Sequence, residues 1–138
     1  MLTDKQIAQI VFMELNDITY KVRGAIFEVY NQLGPGLLES VYEAALMKEF
    51  ELIGLKAMNQ LALPVTYKQF DIELGFRIDI LVENKVIIEI KSVKALEDVH
   101  KKQLLTYLKL SQIEIGILIN FNVAFLKDKE SIIRIINN

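Results

Sequence analysis

The chain has 138 residues, 52% of them apolar, and a formal net charge of −2, which suits a single domain over residues 1–138 able to bury about 68–70% of its chain surface. Cysteine is absent and histidine occurs once, as His100; disulfides, thiolate metal sites, thiol nucleophiles and multi-histidine sites are therefore excluded, and a reducing cytoplasm is the expected compartment. Any bound metal must be a hard cation held by oxygens, Mg²⁺ or Mn²⁺, and the slight acidity argues against a general nucleic-acid coat protein but not against local contact through a few cations.

The opening "MLTDKQIAQIVF" has no basic n-region and no apolar run approaches the ~20 residues of a membrane span, so neither a signal peptide nor a membrane partner is expected. From there Ile7, Ile10, Val11, Leu15, Ile18, Val22, Ile26, Val29 and Leu33 recur at helical spacing, which predicts one amphipathic helix or two in line. Thr3 or Asp4 is placed to cap its start, and Gly34 followed by Pro35 stops it. A second helix follows in "LLESVYEAALMKEFELIGLK", with Leu38, Val41, Ala45, Leu46 and Phe50 as the buried stripe and Gly54 at its end.

The character then changes. "LALPVTYKQFDIELGFRIDILVENKVIIEIKSV" is rich in β-branched and aromatic residues, broken at Lys68–Gln69 and Glu83–Asn84; it predicts a three-stranded antiparallel meander, with Pro64 favouring an outer first strand. "LEDVHKKQLLTYLKLSQ" returns to helical period with Val99, Leu104, Leu105 and Leu108 inward, "IEIGILINF" reads as a buried strand, and "KESIIRIINN" as a final edge strand. The expected class is α/β (α+β), in the order ααβββαββ, a mixed sheet flanked by helices. The apolar excess is compatible with a homodimer interface.

Within the meander, Asp79, Glu89 and Lys91 interrupt "RIDILV" and "VIIEIK". Side chains alternate faces along a strand, so Ile78, Ile80 and Val82 should share one face and Arg77, Asp79 and Leu81 the other. If a three-residue connection, Glu83 to Lys85, pairs Val82 with Val86, then Ile80 meets Ile88, Asp79 meets Glu89 and Arg77 meets Lys91. A two-residue turn would throw the acids to opposite faces. Opposed carboxylates repel unless one keeps a proton or a cation sits between them. A divalent metal resolves the conflict, and an adjacent ammonium can offset charge at a phosphoryl group or steer water. Taken alone, E-x-K on a strand is ordinary, a wet face with Glu and Lys; Asp79 inside an apolar strand is the unusual element.

This D…E-x-K pattern resembles the PD-(D/E)xK nuclease superfamily. More closely, the chain resembles the small bacterial family of GxxExxY proteins, whose naming motif stands as "GLLESVY", Gly36 to Tyr42. The likeness continues through "RIDILVENKVIIEIKSV", "VHKKQLLTYLKL" and "IGILINF", covering roughly residues 15–125. It implies a restriction-endonuclease-like core, a metal-dependent nuclease activity and nucleic acid as partner, with DNA preferred. It carries over Asp79 and Glu89 as metal ligands, Lys91 as the catalytic lysine, Glu39 as the helical acid near the metal, and Gln103 as a polar residue facing the site. Ile78 stands where the written pattern prefers Pro, a minor departure.

The remaining candidates each have a plainer reading. Glu39 in a first helical turn is favoured by the helix dipole alone. Tyr42 shares its face and is placed for a phosphate or carboxylate contact, or simply for packing. "GPG" at 34–36 lacks the Walker pattern and reads as a helix stop followed by a helix start. His100 and Gln103 project from one helical face, His100 as proton shuttle, phosphate contact or solvated group. Arg77 is a candidate to pair with Glu89 or to bind phosphate. Lys94, Lys101, Lys102 and Lys109 offer cationic contacts to a nucleic-acid backbone or a solvated face. The rival to a nuclease is a non-catalytic nuclease-like module binding nucleic acid or a protein; a third reading exchanges nucleic acid for a small phosphoester.

Overall fold

The computed structural model describes residues 1–138, apart from the side chains of residues 73–75. The first helix, α1 (Asp4–Leu33), is one continuous rod of 30 residues, about 45 Å long at 1.5 Å per residue. Thr3 caps it by a capping box with Gln6, and the Gly34 N–H closes its last turn on the Tyr30 carbonyl. Helix α2 (Glu39–Leu52) follows, then strands β1 (Ala57–Tyr67), β2 (Phe70–Val82) and β3 (Val86–Lys91), helix α3 (Asp98–Ser111), and strands β4 (Ile115–Asn120) and β5 (Ile132–Ile136). The order ααβββαββ and the mixed sheet are those the pattern predicts, and they form a restriction-endonuclease-like fold.

The sheet runs β1-β2-β3-β4-β5, antiparallel except for β3–β4, which is parallel and needs α3 as its crossover. Both outer positions fall as expected, β1 with a bulge at Leu63/Val65 around Pro64 and β5 at the far side. Lys68 and Gln69, at φ 48° and 70°, close the first hairpin, and Glu83 and Asn84, at 52° and 56°, the second. The second turn gives Val82↔Val86 and Ile80↔Ile88, the register on which the site depends.

The two faces of the sheet are covered differently. Helices α1 and α2 lie on one, burying Val22, Ile26, Leu46 and Phe50 against Ile80, Val82, Ile88, Ile90 and Ile117. Helix α3 covers the other, with Leu104, Tyr107 and Leu108 against Ile78, Leu81, Ile87 and Leu118. Gly116 explains itself here. A Cβ at that position would stand 2.7–2.9 Å from the branched end of Leu104, so the missing side chain lets α3 approach β4. Gly116→Ala is expected to cost roughly 1–3 kcal/mol, because Leu104 must leave its rotamer; urea unfolding measures it, and an unchanged midpoint would show α3 to be loosely held.

Four expectations about burial need correction. In α1, Ile7, Ile10 and Val11 are 44–49% exposed and Leu33 is 39% exposed; the core begins at Leu15, since the first three turns have no sheet beneath them. In α2, Leu38 and Val41 are exposed, and the buried row is Tyr42, Leu46 and Phe50, because Tyr42 stacks on Phe121 with centroids 4.2 Å apart. Val99 is exposed in the first turn of α3, ahead of the part that meets the sheet. Finally, Ile78 does not share a face with Ile80 and Val82. It packs under α3 beside Leu81, because the alternation breaks at Asp79.

Candidate active site at the fork of the sheet

That break builds the site. The β2–β3 ladder ends at Ile80↔Ile88; past this pair β2 stays with β1 while β3 stays with β4, and the sheet forks. On the β1 side, Asn59↔Ile80 and Leu61↔Ile78 are paired and Gln60, opposite Asp79, adopts φ 53°. Parting strands leave backbone N–H groups without ladder partners, and such groups must be satisfied elsewhere. Here two carboxylates do it: the Asp79 N–H donates to Glu89 Oε1 at 3.1 Å, and the Ile90 N–H donates to Asp79 Oδ2 at 2.8 Å. Each acid thus holds the other strand, and both side chains are fixed in the mouth of the fork.

Burial sets their charge. Glu89 is 3% exposed, and desolvation, followed by the Asp79 charge beside it, pushes its carboxyl up to about 9. Asp79 is also raised, burial outweighing the hydrogen bond from Ile90. Both carboxyls are thereby made more reluctant to ionise, and as close neighbours they titrate as a pair. Each carboxyl has one oxygen occupied by the backbone, and the others are near enough to hydrogen-bond to one another when one is protonated. Such a pair of neighbouring acids marks a place where a divalent cation fits, since the ion offsets their mutual repulsion. Among the described residues no third acid or histidine joins the pair, so carbonyl and water oxygens would complete the coordination, as Mg²⁺ commonly accepts.

Lys91 leaves β3 on the same side as Glu89, and its Nζ donates to Gln103 Oε1 of α3 at 3.2 Å. Gln103, expected at the substrate, is engaged with the lysine. The sequence reading missed Tyr107, one helical turn beyond Gln103 and so on the same face. Its ring is 4% exposed and tilted against Phe76. Burial, then the charges of Glu89 and Asp79, push its hydroxyl up to about 12, which keeps it a neutral donor beside the acids. The i, i+4 spacing from Gln103 was the available signal.

The other predicted residues lie around this centre without joining it. The exposed Glu39 accepts from the Ser92 N–H at 3.3 Å, just past Lys91. The α2 acid whose charge reaches Asp79 is instead Glu43, one turn on, where it binds the side chains of Asn59 and Gln60. Tyr42 is wholly buried, its hydroxyl donating to the Gly34 carbonyl at 2.6 Å and accepting from the Leu37 N–H at 3.2 Å. The hydroxyl expected at the substrate is engaged with the 34–37 loop. Arg77 is exposed, and its Nη1 binds the Gln60 carbonyl rather than meeting Glu89 or Lys91, a consequence of the fork. His100 accepts from the Glu97 N–H through Nδ1 at 2.9 Å and caps α3.

Compared with known families, the chain matches the model of the PD-(D/E)XK nuclease superfamily over residues 16–135. This protein belongs to that superfamily. PD-(D/E)XK nucleases generally use divalent metals and act on nucleic acid, which suits the paired acids and the adjacent lysine. No curated protein and no solved structure matches the chain significantly. Among the described residues, no helix of this PD-(D/E)XK protein is long and apolar enough to cross a membrane.

Proposed function

We propose that residues 1–138 act as one nuclease domain that hydrolyses phosphodiester bonds of DNA with Mg²⁺ or Mn²⁺, and that the chain is a GxxExxY protein. The observation that carries this reading is the forked sheet, where half-buried Asp79 and buried Glu89 each bind the other's strand through a backbone N–H and Lys91 stands on the same strand face as Glu89. Asp79 and Glu89 would hold the metal with help from the Ile90 carbonyl, which points to the same side as the Ile90 N–H bound to Asp79. When bound, the ion supplies a Lewis acid for the phosphoryl oxygen and a more acidic water. Lys91 orients water and offsets charge at phosphorus, with Gln103 holding its amine in place. Glu39 assists by fixing the Ser92 end of β3, and the Gly36, Glu39 and Tyr42 motif ties the 34–37 loop to that end. The absence of cysteine supports a cytoplasmic setting.

The test is a cleavage assay on single- and double-stranded DNA and RNA with Mg²⁺ or Mn²⁺, comparing wild type with Asp79→Asn. Asparagine keeps the hydrogen bond from Ile90 but lacks the charge, so the fold should persist while cleavage is lost. Equal cutting by both proteins, or none by either under any metal, would falsify the assignment.

A homodimer through α1 is the reading for the exposed apolar turns. Ile7, Ile10 and Val11 continue the stripe of Leu15 and Ile18 beyond the body of the fold, and a second copy covers both arms by one symmetric contact. Sedimentation should give a dimer that Ile7→Glu together with Val11→Glu converts to a monomer; a monomeric wild type removes the idea.

A further inference from the structure

Across β3 and β4 from the fork, around the loop that joins β4 to β5, the surface carries a second feature that the metal chemistry does not use. A cavity of about 620 Å³ is lined by Lys94, Lys101, Lys127, Lys129, Phe125 and Asn120, among others. Four lysines from three separate segments face the single carboxylate of Glu130 there, on a chain whose formal net charge is −2. Among the described residues only Lys127 of the four is in an ion pair, an exposed one with Glu130 at 3.4 Å. A neighbouring cavity of about 600 Å³ shares Lys101 and Lys129 and adds Arg134, together with Arg23 in its ion pair with Asp128. Buried Asn120, the β4 partner of Lys91, ties Val93 to β4 through its side-chain amide and so fixes the segment between this surface and Lys91.

Phe125 gives the surface its direction. It is 83% exposed, although the loop bearing it is held firmly. The Tyr30 hydroxyl donates to the carbonyls of Val123 and Ala124, Ser131 Oγ accepts from the Lys127 N–H at 2.7 Å, and Arg23 forms a two-point ion pair with Asp128. The ordered loop thus presents an aromatic ring to solvent amid lysines. An exposed ring flanked by ammonium groups suits a chain that offers planar apolar faces and a phosphate at each step, and only unpaired bases offer their faces.

We propose that the Phe125 loop and Lys94, Lys101, Lys127 and Lys129 form a binding site for single-stranded nucleic acid, with an unpaired base stacked on Phe125 and the backbone held by the lysines. This rests on the nuclease reading for its purpose, but not for its test. A Watson–Crick duplex keeps its bases stacked on each other and gains nothing from Phe125, so the site favours single strands over duplex.

Binding is measured by fluorescence anisotropy in EDTA, with labelled oligothymidylate, labelled oligouridylate and a blunt DNA duplex of equal length. Wild type should bind at least one single strand about tenfold more tightly than the duplex. Phe125→Ala should lose about tenfold on single strands and nothing on duplex, and Phe125→Trp should restore the loss. The combined Lys94→Ala, Lys101→Ala, Lys129→Ala variant should lower the salt slope on single strands by about 2, at ~0.7 per phosphate contact. These positions are exposed, so folding is not at stake. Equal affinity for duplex and single strands, or single-strand binding indifferent to Phe125→Ala, overturns the proposal. Cleavage is assayed in Mn²⁺ on the same preparations. A protein that binds single strands through Phe125 but cuts nothing removes the nuclease reading and leaves this site standing; one that cuts, with binding indifferent to Phe125, removes this site alone.

Discussion

Lys91→Ala is expected to slow phosphodiester cleavage by about 10²–10⁴-fold, the range associated with losing one positioned proton-transfer or charge-stabilising group. The fold should be unaffected. The side chain is only half-buried, and its one described hydrogen bond goes to Gln103, which can turn to water when the lysine is gone. A second consequence follows from electrostatics. The Lys91 charge favours ionisation of both Asp79 and Glu89, so its loss makes the acids more reluctant to release their proton to a metal. The residual activity should therefore peak at higher pH than that of wild type. Gln103→Ala should lose activity by a smaller factor, since the amine stays but is less well placed. The measurement is single-turnover cleavage against pH; a Lys91→Ala protein as fast as wild type throughout would assign the lysine to the surface.

Glu89→Gln should have opposite effects on metal affinity and on the stability of the metal-free protein. The Glu89 carboxyl rises from an ordinary 4.5 to about 9 on folding. Between those values the folded state binds more protons than the unfolded chain, so stability falls as pH rises through that window, by up to about 1.4 kcal/mol per pH unit. Below the window the contribution is fully present. Glutamine is neutral at every pH and its amide oxygen can still accept the Asp79 N–H, so the variant should unfold at higher urea than wild type at pH 8, with a flatter pH profile. Mn²⁺ binding should weaken by more than the roughly 10–100-fold lost when an outer partner is removed. For wild type, affinity should rise with pH toward 9, because the ion displaces the proton. Calorimetric titration and urea unfolding read the two arms; a variant that keeps its Mn²⁺ affinity would remove Glu89 from the ligand set.

The outcome at particular residues shows what a linear pattern can carry. Thr3, Gly34, the Lys68–Gln69 and Glu83–Asn84 turns and the outer place of Pro64 were legible, because caps, turns and proline restrict the backbone through neighbours a few residues away. The Val82↔Val86 and Ile80↔Ile88 register was legible too, but the expected pairing of Asp79 with Glu89 and Arg77 with Lys91 does not form, because the ladder stops at Ile80↔Ile88. Alternation misled at Ile78, where it assumed a regular strand and met a fork. Helical period identified α2 but rotated its buried face, choosing Leu38 and Val41 over Tyr42, because nothing near Tyr42 in sequence announces Phe121 beneath it. Gln103 and His100, expected at the substrate, bind the Lys91 amine and the Glu97 N–H in the structure.

By itself the sequence determined the succession of helices and strands and carried the D…E-x-K pattern and the motifs by which it resembles its superfamily, all of which are local in the chain. Only the tertiary structure decided that the sheet parts at Asp79, that Glu89 is buried and its carboxyl raised, that Glu43 lies near Asp79, and that Phe125 stands outward among lysines from three segments. Those are properties of desolvation and of contacts between residues far apart in the chain. They arise when strands separate and helices choose a face, and no local pattern encodes either event.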